Sequence, residues 1–154
     1  QSIEKNITLP IIKRLEMFLG RVDAKSEKEI AENLIDVLRI KATGTEHCVV
    51  NLSGGNQQKV VFGKCIETKP DILILDDPTR GIDIGTKVEI YEMINKFTAE
   101  GKAVILISSE LPELISMSDR IGVMSDGEMR AILSGEDLTQ EKIIKYAIGG
   151  ANHE

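Results

Sequence analysis

Two short, unbroken apolar runs constrain this chain more than anything else in it. Ile72-Leu73-Ile74-Leu75 and Ala103-Val104-Ile105-Leu106-Ile107 have the length and β-branched content of strands, and neither alternates with polar residues. A run of that kind predicts a strand buried on both faces, as in parallel sheets. Between them a helical pattern from about Thr86 to Glu100 places Ile90, Ile94 and Phe97 on one face and stops at Gly101. The first run ends on Asp76-Asp77 and Pro78, the second on Ser108-Ser109-Glu110. Strand, helix, strand predicts an α/β fold with a parallel sheet, and ligands bind at the carboxyl ends of such strands. A short helix around Pro112 to Met117 and a third strand from Arg120 to Met124 continue the alternation. Asp126-Gly127 is a hairpin turn signal, with Met129 to Leu133 returning. Thr139 is placed to cap a last helix carrying Ile143, Ile144 and Ala147, stopped by Gly149-Gly150.

The pattern before Pro70 is different, and residues 1–69 read as mostly helical. Pro10 suits a helix start and Gly20 a helix stop, which predicts a short amphipathic helix between them. Ser26-Glu27-Lys28-Glu29 has the form of a capping box. The helix it opens carries Ile30, Ala31, Leu34, Ile35 and Leu38 on one face, and Ile40 to His47 is a polar loop. Then comes Asn51-Leu52-Ser53-Gly54-Gly55-Asn56-Gln57-Gln58-Lys59, followed by Val60, Val61, Phe62, Cys65 and Ile66 at helical spacing. Ser53 is the expected N-cap, its hydroxyl accepting from a backbone amide two or three residues on. Gly54 and Gly55 carry no Cβ, so a ligand or another chain can approach their backbone. Together these features describe an anion-accepting helix N-terminus. An ordinary glycine turn before a helix is the plainer alternative.

Composition narrows the function classes. The 154 residues suffice for a real core, and the net charge of −6, with no Lys/Arg cluster, argues against a nucleic-acid or anionic-membrane surface. Aromatic content is 3% without Trp, which leaves little for base stacking. Cys48 and Cys65 have neither metal-ligand spacing nor enough partners for a disulfide framework, and a reducing cytosolic setting suits them. No apolar run approaches the roughly 18–20 residues of a membrane span.

An apolar strand ending Leu75-Asp76-Asp77-Pro78-Thr79, shortly after Leu52-Ser53-Gly54-Gly55-Asn56-Gln57-Gln58, resembles the ATP-binding-cassette (ABC) ATPases. The strand looks like their Walker B segment and the glycine stretch like their signature motif. Gly81-Ile82-Asp83 looks like the D-loop, and Ser108-Ser109-Glu110 lies where the family has its switch-histidine segment. Asn56, the run Pro78-Thr79-Arg80-Gly81-Ile82-Asp83 and the run Ser108 to Glu113 are similar to one subgroup. That subgroup is the second cassette of the tandem ATPases that energise bacterial ribose, galactose and related monosaccharide importers. The resemblance implies a P-loop NTPase-like α/β fold, with residues 1–69 in the helical subdomain and 70–154 in the parallel-sheet core. It implies ATP and Mg²⁺ as cofactors, with a second cassette (in the same polypeptide or a dimer) and membrane permease subunits as partners. The implied location is cytoplasmic, peripheral on the inner face of the cell membrane.

By that resemblance Leu52, Ser53, Gly54, Gly55, Asn56, Gln57 and Asp83 contact nucleotide across a cassette interface, and Asp76 holds Mg²⁺ through water. Asp77 and Ser109 take the catalytic positions. Both depart from the family pattern. Asp77 stands where a Glu normally polarises the attacking water, and a shorter side chain loses roughly 1.5 Å of reach, where about 1 Å can cost about 10²-fold. Ser109 replaces a histidine and cannot serve as a charged donor at neutral pH, so slowed hydrolysis is expected here. A third departure is the Walker A loop. Gly122-Val123-Met124-Ser125-Asp126-Gly127-Glu128 is the nearest pattern and has Glu where a phosphate-binding Lys is required. The chain is therefore expected to be the C-terminal part of a cassette, inactive alone, whose signature acts in trans on ATP held by a partner. The competing expectation is a regulatory cassette that supplies the signature without hydrolysing ATP. A soluble ABC protein of repair or translation fits less well, given the acidic charge.

Overall fold

The computed structural model describes residues 1–17 and 20–148. The chain divides into two compact units, Gln1–Ile105 and Leu106–Glu154.

The first unit opens with helix α1, Ile3–Thr8, whose N-cap Ser2 accepts the Lys5 amide at 3.3 Å. A 3₁₀ turn, Leu9–Arg14, follows with Pro10 in its first turn. In place of the amphipathic helix expected from Pro10 to Gly20 the structure has only this 3₁₀ turn, while the α-helix α1 lies ahead of it. The chain then folds back, Glu16 forming an isolated antiparallel bridge with Val22. Phe18 and Leu19 lie outside the described residues.

Helix α2, Ala24–Val37, begins three residues earlier than the capping-box reading placed it. Its cap is Asp23, which accepts from the Lys25 amide at 3.1 Å, the Ser26 amide at 3.3 Å and the Ser26 hydroxyl at 2.6 Å. A carboxylate serves two amides and meets the positive helix end with full charge, so it displaces Ser26 from the role. Helix α3, Gly54–Ile66, completes the bundle. Ile3 and Ile7 of α1, Ala31 and Leu34 of α2, and Val60 and Phe62 of α3 are all buried, each large side chain contributing about 1.5–3 kcal/mol. A Cβ on Gly63 would lie 2.9 Å from Leu38 Cδ1 and 3.9 Å from Ile7 and Leu34, so a side chain at that crossing would require Leu38 to shift. Two buried threonine–carboxylate bonds, Thr8 to Glu27 at 2.6 Å and Thr45 to Glu4 at 3.0 Å, tie these elements together.

Strand β1, Ile72–Asp76, is followed by α4, Ile84–Ala99, and β2, Ala103–Ile107, and the two strands are sheet neighbours. Helix α4 buries Ile90, Met93, Ile94 and Phe97, and Gly101 follows with φ 81°. The expectation of strands buried on both faces fails here. Leu73 and Leu75 are buried, but Ile72 and Ile74 are 59% and 64% exposed, and Ile105 and Ile107 are about half exposed. Side chains alternate across a strand, and the described residues cover only one face.

The second unit is a hairpin packed by helices. Strand β3, Arg120–Ser125, pairs antiparallel with β4, Glu128–Ser134, in a register that sets Ile121 opposite Leu133, with an irregularity at Val123/Met124. The third strand of the expected alternation thus pairs with its hairpin partner β4. Asp126 and Gly127 have φ 52° and 78°, the two left-handed positions of a type I′ turn. The nearest Walker A-like pattern is therefore strand–turn–strand. Helices α5, Leu111–Met117, and α6, Gln140–Ala147, flank the hairpin. Ile121, Val123, Leu133 and Ile143 form its core, with Leu114, Leu138 and Tyr146 against them. Thr139 caps α6 as expected, accepting the Lys142 amide at 3.3 Å, but Ala147 is exposed. The expected stop at Gly149-Gly150 lies outside the described residues.

Candidate functional site

Ser53 occupies the N-cap of α3 with extended backbone, φ −60° and ψ 154°, but its side chain makes no capping bond. The hydroxyl oxygen accepts instead from Asn56 Nδ2 at 2.8 Å, and Asn56 Oδ1 in turn accepts the Lys41 amide at 2.8 Å. The expectation that Ser53 would satisfy an amide of its own helix is corrected. Asn56 has claimed that oxygen because its carboxamide is anchored from the Lys41 loop. The consequence favours an anion site. Helix geometry gives the Gly54, Gly55 and Asn56 amides no carbonyl within α3, and the Ser53 O–H retains its proton to donate. The first intrahelical bond runs from the Gln57 amide to the Ser53 carbonyl at 2.9 Å, and Gln57 Nε2 donates to the Leu52 carbonyl at 2.9 Å.

The two glycines are not equivalent. Gly54 is exposed, with no atom within 4 Å of where a Cβ would sit. Gly55 is buried, and a Cβ there would be 2.5 Å from Thr86 Cγ2. Only Gly54 therefore has the open backbone expected of both.

Behind this turn α3 is fastened by side chains that reach across the first unit. Gln58 Nε2 donates to the Pro78 carbonyl at 3.1 Å. Lys59, 2% exposed, donates to the Arg39 carbonyl at 3.0 Å and pairs with Glu89 of α4 at 2.6 Å. A buried ammonium needs such partners, since burying it unpaired costs several kcal/mol. Sequence reasoning passed over Gln58, Lys59, Thr86 and Glu89. A lysine three residues before Phe62 and four after Gly55, on one helix face with both, was the available signal for Lys59.

Asp76 ends β1 and is exposed, while Asp77 is half-buried with φ 44°. That left-handed conformation is one that Asp and Asn tolerate better than longer side chains, which gives a backbone reason for aspartate at the position. Asp76 lines a groove of about 130 Å³ with Gln58, Val61, Phe62, Ile74 and Ile90, too small for the roughly 300–1,000 Å³ typical of small-molecule sites. Among the described residues no three His, Cys, Asp or Glu side chains gather as a metal cage. A lone strand-end carboxylate suits Mg²⁺, which commonly takes one or two carboxylates plus waters and substrate phosphates. Asp83 is the N-cap of α4, accepting from the Thr86 amide at 3.0 Å and the Thr86 hydroxyl at 2.7 Å. Those two bonds hold its carboxyl below the ordinary value. The first unit thus brings Leu52–Gln57 and Asp83 together through the Gly55–Thr86 contact.

Ser109 belongs to the second unit, in the short segment between β2 and α5. Its neighbour Ser108 donates to Glu113, which is buried, and accepts the Glu110 amide at 3.0 Å. Among the described residues no helix is long and apolar enough to cross a membrane.

Residues 2–80 match the ABC transporter family. The chain is 49% identical over 149 residues to the ribose import ATP-binding protein RbsA of Geobacillus kaustophilus, covering 97% of this chain and 30% of that protein. It is likewise 49% identical to the xylose import ATP-binding protein XylG of Moorella thermoacetica, over 97% of this chain and 29% of that one. The chain therefore spans about 30% of the length of these curated relatives. Among solved structures, a dimeric ATP-binding cassette in a post-hydrolysis state with ADP and Pi aligns at a TM-score of 0.73 and 23% identity, over 86% of this chain and 56% of that one. A nucleotide-free cassette from an ABC transporter aligns at 0.74 and 21%, over 95% and 62%. At these identities the structures speak for the fold alone, which is that of the ABC ATPases. With half of its residues matching the family directly and its fold shared, this chain belongs to the ABC transporter family.

Proposed function

We propose that the chain is the C-terminal part of the second cassette of a bacterial monosaccharide importer's ATP-binding protein, and that its signature stretch completes the ATP site of a partner cassette. The observation that carries this reading is the N-terminus of α3: an open Gly54, three amides without intrahelical acceptors, and a Ser53 hydroxyl held by Asn56. Similarity to ribose and xylose import ATP-binding proteins supports the transport assignment. In this reading residues 1–69 form part of the helical subdomain and 70–154 part of the core. The protein works in the cytoplasm, peripheral to the inner face of the membrane, with permease subunits and a second cassette as partners.

Bound Mg²⁺–ATP would supply an electrophilic phosphorus and a cation that neutralises its oxygens. Asp76 would hold the metal through water. Ser53 Oγ and the Gly54 and Gly55 amides would donate to phosphate oxygens presented by the partner, while Leu52, Asn56 and Gln57 would keep that turn in shape. Asp77 would take a proton from the attacking water. By the same resemblance, Ser109 would offer a hydroxyl where the family uses histidine. In the full-length protein assembled with its permease, Ser53→Arg is expected to abolish transport-coupled ATP turnover. Unchanged turnover would sink the reading.

A second reading is favoured by Asp77 itself, whose backbone conformation suits aspartate. Here the cassette supplies the signature but does not hydrolyse ATP at its own site. Asp77→Glu separates the two: a gain of about ten-fold or more in turnover means the local site is catalytic but short of reach, and no gain means it is regulatory.

A further inference from the structure

The close approach of Gly55 to Thr86 joins two stretches that sequence motifs treat separately. A Cβ on Gly55 would stand 2.5 Å from Thr86 Cγ2, 2.9 Å from Oγ1 and 3.1 Å from Cβ. Turning Thr86 about χ1 could move its methyl and hydroxyl but not its Cβ, so rotation alone does not clear the contact. Thr86 is held further, because its hydroxyl donates to Asp83 Oδ2 at 2.7 Å and its amide to Asp83 Oδ1 at 3.0 Å. Turning the methyl away from α3 breaks the first of these bonds. Gln58 to Pro78 and Lys59 to Glu89 then fix the same helix three and four residues further along.

We infer that Thr86 is a positioning residue for the signature stretch: clamped by Asp83 and seated against Gly55, it sets the direction of the first turn of α3. Gly54 and Gly55 thereby divide their work. Gly54 leaves the backbone open to a ligand, and Gly55 lets the helix end close on Thr86. A displacement of the segment from Gly81 to Thr86 passes directly to the amides of residues 54–56, with no element between them. That this directs amides at a phosphate rests on the function proposed above; the mechanical coupling does not.

The test is site-resolved hydrogen exchange on the full chain by NMR, without nucleotide. The Gln57, Gln58 and Lys59 amides close the first turn of α3, and the Leu34 amide in α2 serves as an internal reference. Gly55→Ala is expected to speed exchange at 57–59 at least ten-fold relative to Leu34. Adding Thr86→Ala to it should restore part of the protection, because the methyl and hydroxyl that clash are gone while the hydroxyl bond to Asp83 is lost as well. Thr86→Val alone, which keeps the branched shape and loses the bond to Asp83, should speed exchange at 57–59 about three-fold or more. Thr86→Ser, which keeps that bond, should do less. The inference is overturned if Gly55→Ala is equally disruptive whatever residue stands at 86, or if Thr86→Val leaves 57–59 unchanged. Should Gly55→Ala fail to fold, the Thr86→Val and Thr86→Ser pair decides alone. Since no nucleotide is involved, a failure here is distinct from a failure of Ser53→Arg to affect turnover.

Discussion

The signature stretch and the serine segment before α5 are held in opposite ways. Asn56, Gln58 and Lys59 find partners 15 to 20 residues away in Lys41, Pro78 and Arg39, and Lys59 also reaches Glu89 on another helix. Ser108 bonds to Glu113 and Glu110, five and two residues along its own chain. A segment held by distant partners has its geometry dictated by the fold around it, whereas a segment held by its own neighbours keeps its shape locally. The α3 N-terminus should therefore respond to changes made far away, and the bonds of Ser108 to changes within its own segment.

The strongest way to break this contrast is Lys59→Ala. It leaves the Arg39 carbonyl and the Glu89 carboxylate without their buried cation, and Glu89, at 36% side-chain exposure, is partly rescued by solvent. We expect a loss of about 2–3 kcal/mol in urea unfolding, below the full cost of a broken buried pair. An effect no larger than that of a surface substitution would remove the distinction between the two regions.

Next comes Gly63→Ala. The added methyl meets Leu38 Cδ1 at 2.9 Å, and Leu38 is itself buried. Overpacking there should cost about 1–3 kcal/mol, measured the same way. A gain in stability would show that α3 can slide on α2, and the signature stretch would then be less rigidly placed than its bonds suggest.

Ser108→Ala sharpens the local side of the comparison. It removes the bond to Glu113 and the one from the Glu110 amide, so about 1–3 kcal/mol should be lost, with amide shifts confined to residues near α5. Shifts spreading into the 54–59 turn would contradict the local reading.

The smallest effect is on pH. The carboxyls of Asp83 and Asp23 are each held below the ordinary 3.8 by hydrogen bonds from Thr86 and Ser26 respectively. A depressed carboxyl contributes stability that is complete above its unfolded value and is lost as pH falls through its lower folded value. The Thr86 and Ser26 amide resonances should stay fixed from pH 7 to about 4 and move only below the ordinary carboxylate range. Movement at higher pH would mean the caps are not formed.

Much of this fold was legible in advance because it depends on local spacing. Apolar periodicity placed α4, β1, β2 and the β3–β4 hairpin, and Asp126-Gly127 announced a turn that needs two left-handed residues. Motif order led to the ABC transporter family, which the match over residues 2–80 shows. Local readings failed where two residues competed for one job. Asp23 capped α2 in place of Ser26, and Asn56 took the oxygen Ser53 was expected to offer its own helix. The open face of Ile72 and Ile74 was equally hidden, since an apolar run states what can be buried and not what covers it.

The sequence by itself determined the elements from α3 onward, the family and the identities of the residues at the α3 N-terminus, because glycine, serine and strand periodicity act through their own backbone. Tertiary structure decided which glycine faces outward, which oxygen Ser53 shares, and that a buried lysine and a capped threonine hold the helix in place. Those outcomes depend on side chains from Lys41, Pro78, Thr86 and Glu89 meeting one helix, and that meeting exists only once the chain has folded.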